Sequence, residues 1–391
     1  MINIYSDNSQ IIAFNQSQYQ KRLLSKNEKI NYAGLLIVCI MWGISFITNS
    51  YSIIALLFST IVLSLLICLN YKAIFKNNNL IVLLFAVASM VLTYIMYQSA
   101  GVFFIVLNLI LYAFFLNNVT FSTKHTMILH ILISIPLYFY VYTCDYSFFS
   151  YAHQTKDFFG NTINGNNVGV LALLAFFHFV IFASFIRKKR IKLLLIIGAF
   201  VLSIYLIYPT GCRTALISAI VCVLLLFLIK NPIGQKKYNL LLTIELLLCL
   251  VFPVIYIFMS GHLENVEIFG KTLFSGRDTI WKSGLELIKK YPIFGCGNSY
   301  TYSDSGMDSS HNFMLGVMKM FGIVPTFAVI YSIINNKYGT DRVIQITFIS
   351  ALIIGFFESS FIHLESSPLF MLLLAGCTCN SIKMGNKRFE R

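Results

Sequence analysis

Long apolar runs separated by short polar turns dominate this chain. A helix needs about 20 apolar residues to cross a bilayer core. On that criterion the pattern predicts twelve spans, at residues 32–49, 52–69, 80–97, 100–116, 126–143, 167–186, 191–208, 214–230, 239–259, 313–333, 343–361 and 366–381. Only the connections 144–166 and 260–312 exceed ordinary turn length. The expected fold class is all-α, a polytopic integral membrane protein of about 12 transmembrane helices with one long outer-face loop that contains an amphipathic helix. The expected organisation is a cytoplasmic tail (1–31), transmembrane helices 1–9 (32–259), a large periplasmic or extracellular catalytic loop (260–312), transmembrane helices 10–12 (313–381) and a second cytoplasmic tail (382–391).

Composition excludes an ordinary soluble domain. The chain is 58% hydrophobic and 11% charged, with mean hydropathy +0.77, whereas soluble domains carry roughly a quarter charged residues. Its 36 Phe and 22 Tyr suit an apolar interior with aromatic belts near the headgroups. The net charge of +14 is expected to mark cytoplasmic loops, not nucleic-acid binding. With the N-terminus inside, 21 of the 29 basic residues fall on inner segments and 7 on outer ones. That asymmetry follows the positive-inside rule, and it places both long loops outside. Residues 1–31 are polar and read as a tail, not a secretory signal. The 9 cysteines are scattered without a CxxC or a metal-spaced His/Cys cluster. They are expected as small packing residues, and no metal or cofactor is expected.

Within the loop 260–312, Ser275 and Asp278 have the spacing of a capping box. Ile280, Trp281, Gly284, Leu287 and Ile288 recur at helical spacing, with Lys282, Glu286, Lys289 and Lys290 mostly on the other side. Pro292 then stops the run. This predicts an amphipathic helix of about four turns. Gly295-Cys296-Gly297 reads as a turn, since a nucleotide-binding glycine motif needs a strand before it and a helix after it.

The chemistry concentrates in three strings on the outer face: Pro209 to Thr214, Ser275 to Trp281, and His311-Asn312 running to Gly322. Arg213 precedes an outward helix N-terminus, where unpaired N–H groups and the helix dipole favour anions. Arg277 repeats that placement on the amphipathic helix. For both, the alternative is an interfacial or solvated charge. His311 precedes the span at 313 and is a candidate general base near neutral pH; the alternative is a histidine that caps the helix or contacts lipid headgroups. Lys319 lies eight residues further, roughly on the same face, and is expected either to line the cavity or to pair with Glu358. Asp304 and Asp308 precede His311 and are candidates for orienting it or for binding sugar hydroxyls. His130 and His178 are expected as hydrogen-bonded core residues.

Four of these elements in order carry a resemblance. Asn161 to Asn167 enters a span, Gly211-Cys212-Arg213-Thr214 follows, then Gly276-Arg277-Asp278-Thr279-Ile280-Trp281 with Tyr291 to Gly297, then His311-Asn312-Phe313-Met314-Leu315 with Gly322. Over roughly 160–325 the chain resembles the O-antigen ligase/polymerase superfamily of bacterial membrane glycosyltransferases. Cys212 stands where many relatives have Ser. The resemblance implies an enzyme on the outer face of the bacterial inner membrane whose donor is a glycan on undecaprenyl pyrophosphate. It implies no nucleotide sugar and no required metal. It assigns Arg213 and Arg277 to the pyrophosphate and His311 to the base, with Asn312, Trp281, Lys319, Asp304, Asp308 and Glu358 as further substrate-binding candidates. The expected partners are lipid-linked glycan donor and acceptor, the bilayer, and a chain-length regulator.

Between the family's activities, the compact outer loop and the Ser-Gly-Arg…Trp helix favour a polymerase of repeat units over a ligase that transfers the finished chain to lipid A–core. A lipid-linked sugar transporter is the reading from another class. Transporters tend to show internal repeats with broken helices near the midplane, and the chain shows no such repeat.

Overall fold

The computed structural model describes residues 28–42, 52–71, 123–146, 154–263, 267–268, 271–272, 277–297, 311–334 and 342–357, with scattered residues of 84–115. Helices dominate. In chain order they are α1 (28–42), α2 (Ser52–Leu69), α3 (Thr123–Tyr142), α4 (Gly165–Ser184), α5 (Lys189–Ile207), α6 (Arg213–Leu228), α7 (Gln235–Leu263), α8 (Arg277–Lys290), α9 (Phe313–Phe321), α10 (Ile323–Ile334), α11 (Arg342–Leu352) and α12 (Ile354–Phe357). Two short antiparallel hairpins interrupt them, β1 (Gln154–Lys156) with β2 (Thr162–Asn164) and β3 (Glu267–Ile268) with β4 (Lys271–Thr272).

Among the described residues, four helices are long and apolar enough to cross a membrane: His125–Tyr142, Gly165–Ser184, Lys189–Thr210 and Gln235–Met259. This is a mostly helical membrane protein. α4 is its central helix, buried along nearly its whole length and packed by α3, α5, α6 and α11. α5, by contrast, exposes Leu194, Val201 and Tyr205, as a lipid-facing helix must, because lipid tails are as apolar as its side chains.

Polar side chains staple the helices where apolar contact alone gives little orientation. Trp42 donates to Ser59, Ser59 to Asn108, and Asn108 to Thr60 and the Leu56 carbonyl. His130 and His178 meet Nδ1 to Nδ1 at 2.9 Å between α3 and α4. This is the hydrogen-bonded core role expected of them. Ser134 Oγ donates to the Ala175 carbonyl, and the Tyr138 and Ser203 hydroxyls join α3 to α5.

Short turns reverse the chain, so successive long helices run antiparallel. The β1–β2 hairpin, the turn 208–212 and the C-terminal end of α7 therefore share one end of the bundle. The β1–β2 hairpin is held by the buried Asp157, which accepts from the backbone N–H groups of Phe159 and Asn161 and from the Tyr140 hydroxyl. At the opposite end, Arg342 donates to the carbonyls of Ile229 and Lys230, and Gln345 exchanges two hydrogen bonds with the Ile233 backbone.

The span predicted over 313–333 is broken. α9 stops after nine residues, at Gly322, which has φ +78. The reason lies in the preceding turn, 291–297, which packs into the break. The N–H groups of Cys296 and Gly297 donate to the carbonyls of Lys319 and Met320, and Ile323 N–H donates to Pro292 O. A Cβ on Gly322 would collide with the Ile293 carbonyl, and one on Gly295 with the Met320 backbone. The predicted span 366–381 and the Ser275 cap lie outside the described residues.

Candidate active site

α6 begins at Arg213 because the chain reverses tightly before it. Tyr208–Thr210 form a 3₁₀ turn with Pro209 near its start, and Gly211 supplies φ +66. The turn lies directly on α4, where a Cβ at Gly169 would strike the side chains of Thr210 and Cys212. Arg213 thus stands half-buried at the end of the bundle, just before the apolar run from 214. A cysteine occupies the N-cap position of α6. It is a weak acceptor compared with the Ser, Thr, Asp or Asn preferred there.

Arg277 is the first residue of α8, as the periodicity predicted for an amphipathic helix of about four turns. Burial of Trp281 fixes that helix. The indole is fully enclosed, edge-on to Phe252 at 5.8 Å and to Tyr256 at 5.3 Å, and Ile280 and Leu315 complete the cluster. α8 is therefore anchored to α7 and α9 by its apolar face, with Arg277 at its N-terminal end. The Arg277 Cζ lies 6.0 Å from the centroid of the Phe357 ring, at the edge of cation–π range.

The two arginines come within each other's field. Burial, and then the positive charge of Arg277, hold the Arg213 guanidinium below its ordinary ionisation range, against an opposite pull from Cys212. An arginine remains charged through such a shift. Residues 64 apart in sequence are thus brought together as two cations, each at a helix N-terminus, where the dipole also repels them.

His311 adopts φ +47, the left-handed region, and is the one non-glycine residue with positive φ among the described residues. Such a conformation costs on the order of 1–3 kcal/mol and persists only where neighbours enforce it. The helix cap beside it is Asn312, whose Oδ1 accepts from Leu315 N–H at 2.9 Å. The capping alternative for His311 is thereby corrected. Asn312 is fully buried, and its Nδ2 donates to the carbonyls of Cys249 at 2.9 Å and Phe356 at 3.2 Å.

Lys319 is buried on α9. Burial raises the Cys296 thiol above its ordinary range while the Lys319 charge pulls it down, so the ammonium lies near the 291–297 turn. Asp304, Asp308 and Glu358 fall outside the described residues. Sequence reasoning missed Phe357 beneath Arg277 and the carbonyl contacts of Asn312. Their one available signal was Pro253, a proline inside an apolar helix.

Residues 198–330 match the sequence model of the O-antigen ligase family. Over that third of the chain the sequence is similar to the O-antigen ligase/polymerase superfamily. No curated protein and no solved structure gives a significant match. The ligase-family segment contains Arg213, Arg277, Trp281, His311, Asn312 and Lys319, so the two clustered arginines and the strained histidine lie in the part that carries the resemblance. The match indicates O-antigen ligase/polymerase-type function, the class of membrane glycosyltransferase-like enzymes.

Proposed function

We propose that this chain is a polymerase that joins undecaprenyl-pyrophosphate-linked oligosaccharide repeat units into O-antigen or capsular polysaccharide on the outer face of the bacterial inner membrane. The observation that carries this reading is the O-antigen ligase family match over 198–330, which contains Arg213 and Arg277, each at the start of a helix and within electrostatic reach of the other. Two guanidiniums held against burial, mutual repulsion and two helix dipoles fit an anion of at least two charges between them.

In this mechanism the leaving group is a lipid pyrophosphate. Its charge grows as the glycosidic bond breaks. Planar guanidiniums that donate paired hydrogen bonds stabilise that charge most in the transition state. His311 takes the proton from the attacking hydroxyl of the acceptor sugar. One displacement at the anomeric carbon inverts it. The reaction uses no metal and no cofactor. Trp281 anchors the helix that carries Arg277, and the apolar bundle accommodates the prenyl tails. Asp304, Asp308, Glu358 and Lys319 are reserved for sugar hydroxyls or for orienting the base.

The twelve-span topology, both termini inside and the segment 260–312 outside, belongs to the same proposal, as does a chain-length regulator as partner. The family description favours one competing reading, a ligase that transfers finished glycan to lipid A–core. The glycan ladder of a deletion strain decides between them. Loss of a polymerase leaves core bearing a single repeat. Loss of a ligase leaves bare core while lipid-linked polymer accumulates, and that pattern would overturn the polymerase reading.

A further inference from the structure

Pro253 lies inside α7. A proline has no N–H, so it cannot bond the carbonyl four residues earlier, and its ring crowds that carbonyl. The carbonyl left without its helical donor is that of Cys249. In an apolar bundle an unmade bond of this kind is costly. The structure fills it with Asn312 Nδ2, at 2.9 Å. The same amide nitrogen reaches Phe356 O in α12, and its oxygen caps α9 at Leu315 N–H. Cys249 Sγ reinforces the joint by donating to Gly355 O at 3.2 Å.

Three elements therefore meet at one carboxamide, and each leads to a residue of the site. α9 starts at the cap, with His311 one residue before it in the left-handed region. α12 ends at Phe357, the ring beneath Arg277. In α7, Phe252 adjoins Pro253 and packs edge-on against Trp281, Phe356 and Phe357 at 5.3–5.9 Å.

We propose that Asn312 is a positioning residue, seated in a socket that Pro253 opens in α7, and that it holds His311 in its strained conformation in register with Arg277. It acts through His311 and touches no substrate. The inference rests on the reading of His311 as the base. The socket explains why the strained histidine and the kinking proline occur together: the interrupted ladder in α7 supplies the acceptor that enforces the strain at 311.

The test is a double-mutant cycle on the purified full-length protein in lipid nanodiscs, with a lipid-pyrophosphate-linked repeat unit as substrate. Asn312→Ser keeps a good capping side chain but is too short for the Cys249 and Phe356 carbonyls. It is expected to lower kcat about 10²-fold, the scale of an ångström-sized misplacement, with KM nearly unchanged. Pro253→Ala returns an N–H to α7 that competes for the Cys249 carbonyl. It is expected to lower kcat in the same way while thermal stability holds or rises, and it carries the cycle in place of Asn312→Ser should that variant fail to accumulate. In a His311→Ala background either change is expected to add less than about threefold, because the residue it positions is gone.

Full multiplicativity with His311→Ala would overturn the positioning role and leave the base in place. Wild-type kcat in folded Asn312→Ser and Pro253→Ala would overturn the socket. Undiminished turnover by His311→Ala would overturn the base assignment, and with it the inference.

Discussion

α6 carries an arginine at each end, and the two are used in opposite ways. At its C-terminus Arg342, reaching across from α11, donates to the carbonyls of Ile229 and Lys230 at 2.6 and 3.3 Å. A cation there satisfies the last carbonyls and suits the negative end of the dipole. At its N-terminus Arg213 faces the positive end of that dipole and a second arginine. One end of the bundle has its electrostatics satisfied from within. At the other, two arginines stand at helix N-termini, where the dipole does not favour a cation. Arg342 and Arg213 thus differ in the direction of their charge relative to the helix, and the proposed pyrophosphate role falls on the one that the dipole opposes.

The same contrast governs the backbone. The end around Ile229, Ile233 and Gln345 is closed by ordinary side-chain to main-chain bonds. Elsewhere the chain uses positive φ, freely at Gly211, Gly295 and Gly322 and at a cost at His311.

The largest effect expected to sharpen this comparison is at His311. His311→Gly should lower turnover about 10²–10⁴-fold, the usual cost of a lost acid–base group. It should leave stability unchanged or raise it by about 1 kcal/mol, because glycine adopts positive φ freely. Thermal unfolding beside an activity assay checks both. Activity near wild type would make the histidine structural and move the search for a base to Asp304, Asp308 and Glu358.

Next come the converging arginines. Arg213→Lys and Arg277→Lys should each lose on the order of 10²–10³ in turnover, since a point charge lacks the planar fork. Neither should lower stability. Arg213→Ala should change it little, because the field of Arg277 opposes the charge that is removed. A stable Arg277→Lys protein with full activity would break the contrast between the two ends.

Trp281→Ala should destabilise by about 3–5 kcal/mol, the range for truncating a buried aromatic. It should release α8 and make the segment 277–290 sensitive to protease. An unchanged digestion pattern would count against α8 as the platform for Arg277.

The smallest effect belongs to the structural end. Arg342→Ala should cost about 1 kcal/mol of stability, with the specific activity of the remaining folded protein intact. A loss of turnover at full stability would show that the two ends are not functionally separate. Topology is tested by labelling a cysteine introduced at Ser305 with an impermeant reagent. Labelling only after the inner membrane is permeabilised would invert the orientation and place the site in the cytoplasm.

Much of the architecture was legible because membrane insertion is written in local composition. The boundaries of α2 and α8, the placement of Arg213 and Arg277 at helix starts, and the hydrogen-bonded role of His130 and His178 all followed from apolar runs, periodicity and flanking polar residues. The break at Gly322 was not legible. The run 313–333 is mostly apolar, broken by Lys319 alone among charged residues, and it is the docking of the 291–297 turn that makes the glycine a helix end. The capping alternative weighed for His311 fell to its neighbour Asn312, because the outcome depended on which backbone entered the left-handed region.

The sequence by itself determined that this is a helical membrane protein with its candidate chemistry gathered at few polar positions, since hydrophobic length and periodicity are properties of neighbours along the chain. Tertiary structure alone decided that Arg213 and Arg277 share one field, that Phe357 lies under Arg277, and that the Cys249 carbonyl freed by Pro253 is taken by Asn312. Those are contacts between residues dozens of positions apart. They are set by which helices pack together and by the need of every buried carbonyl for a donor, a need that residue order along the chain does not resolve.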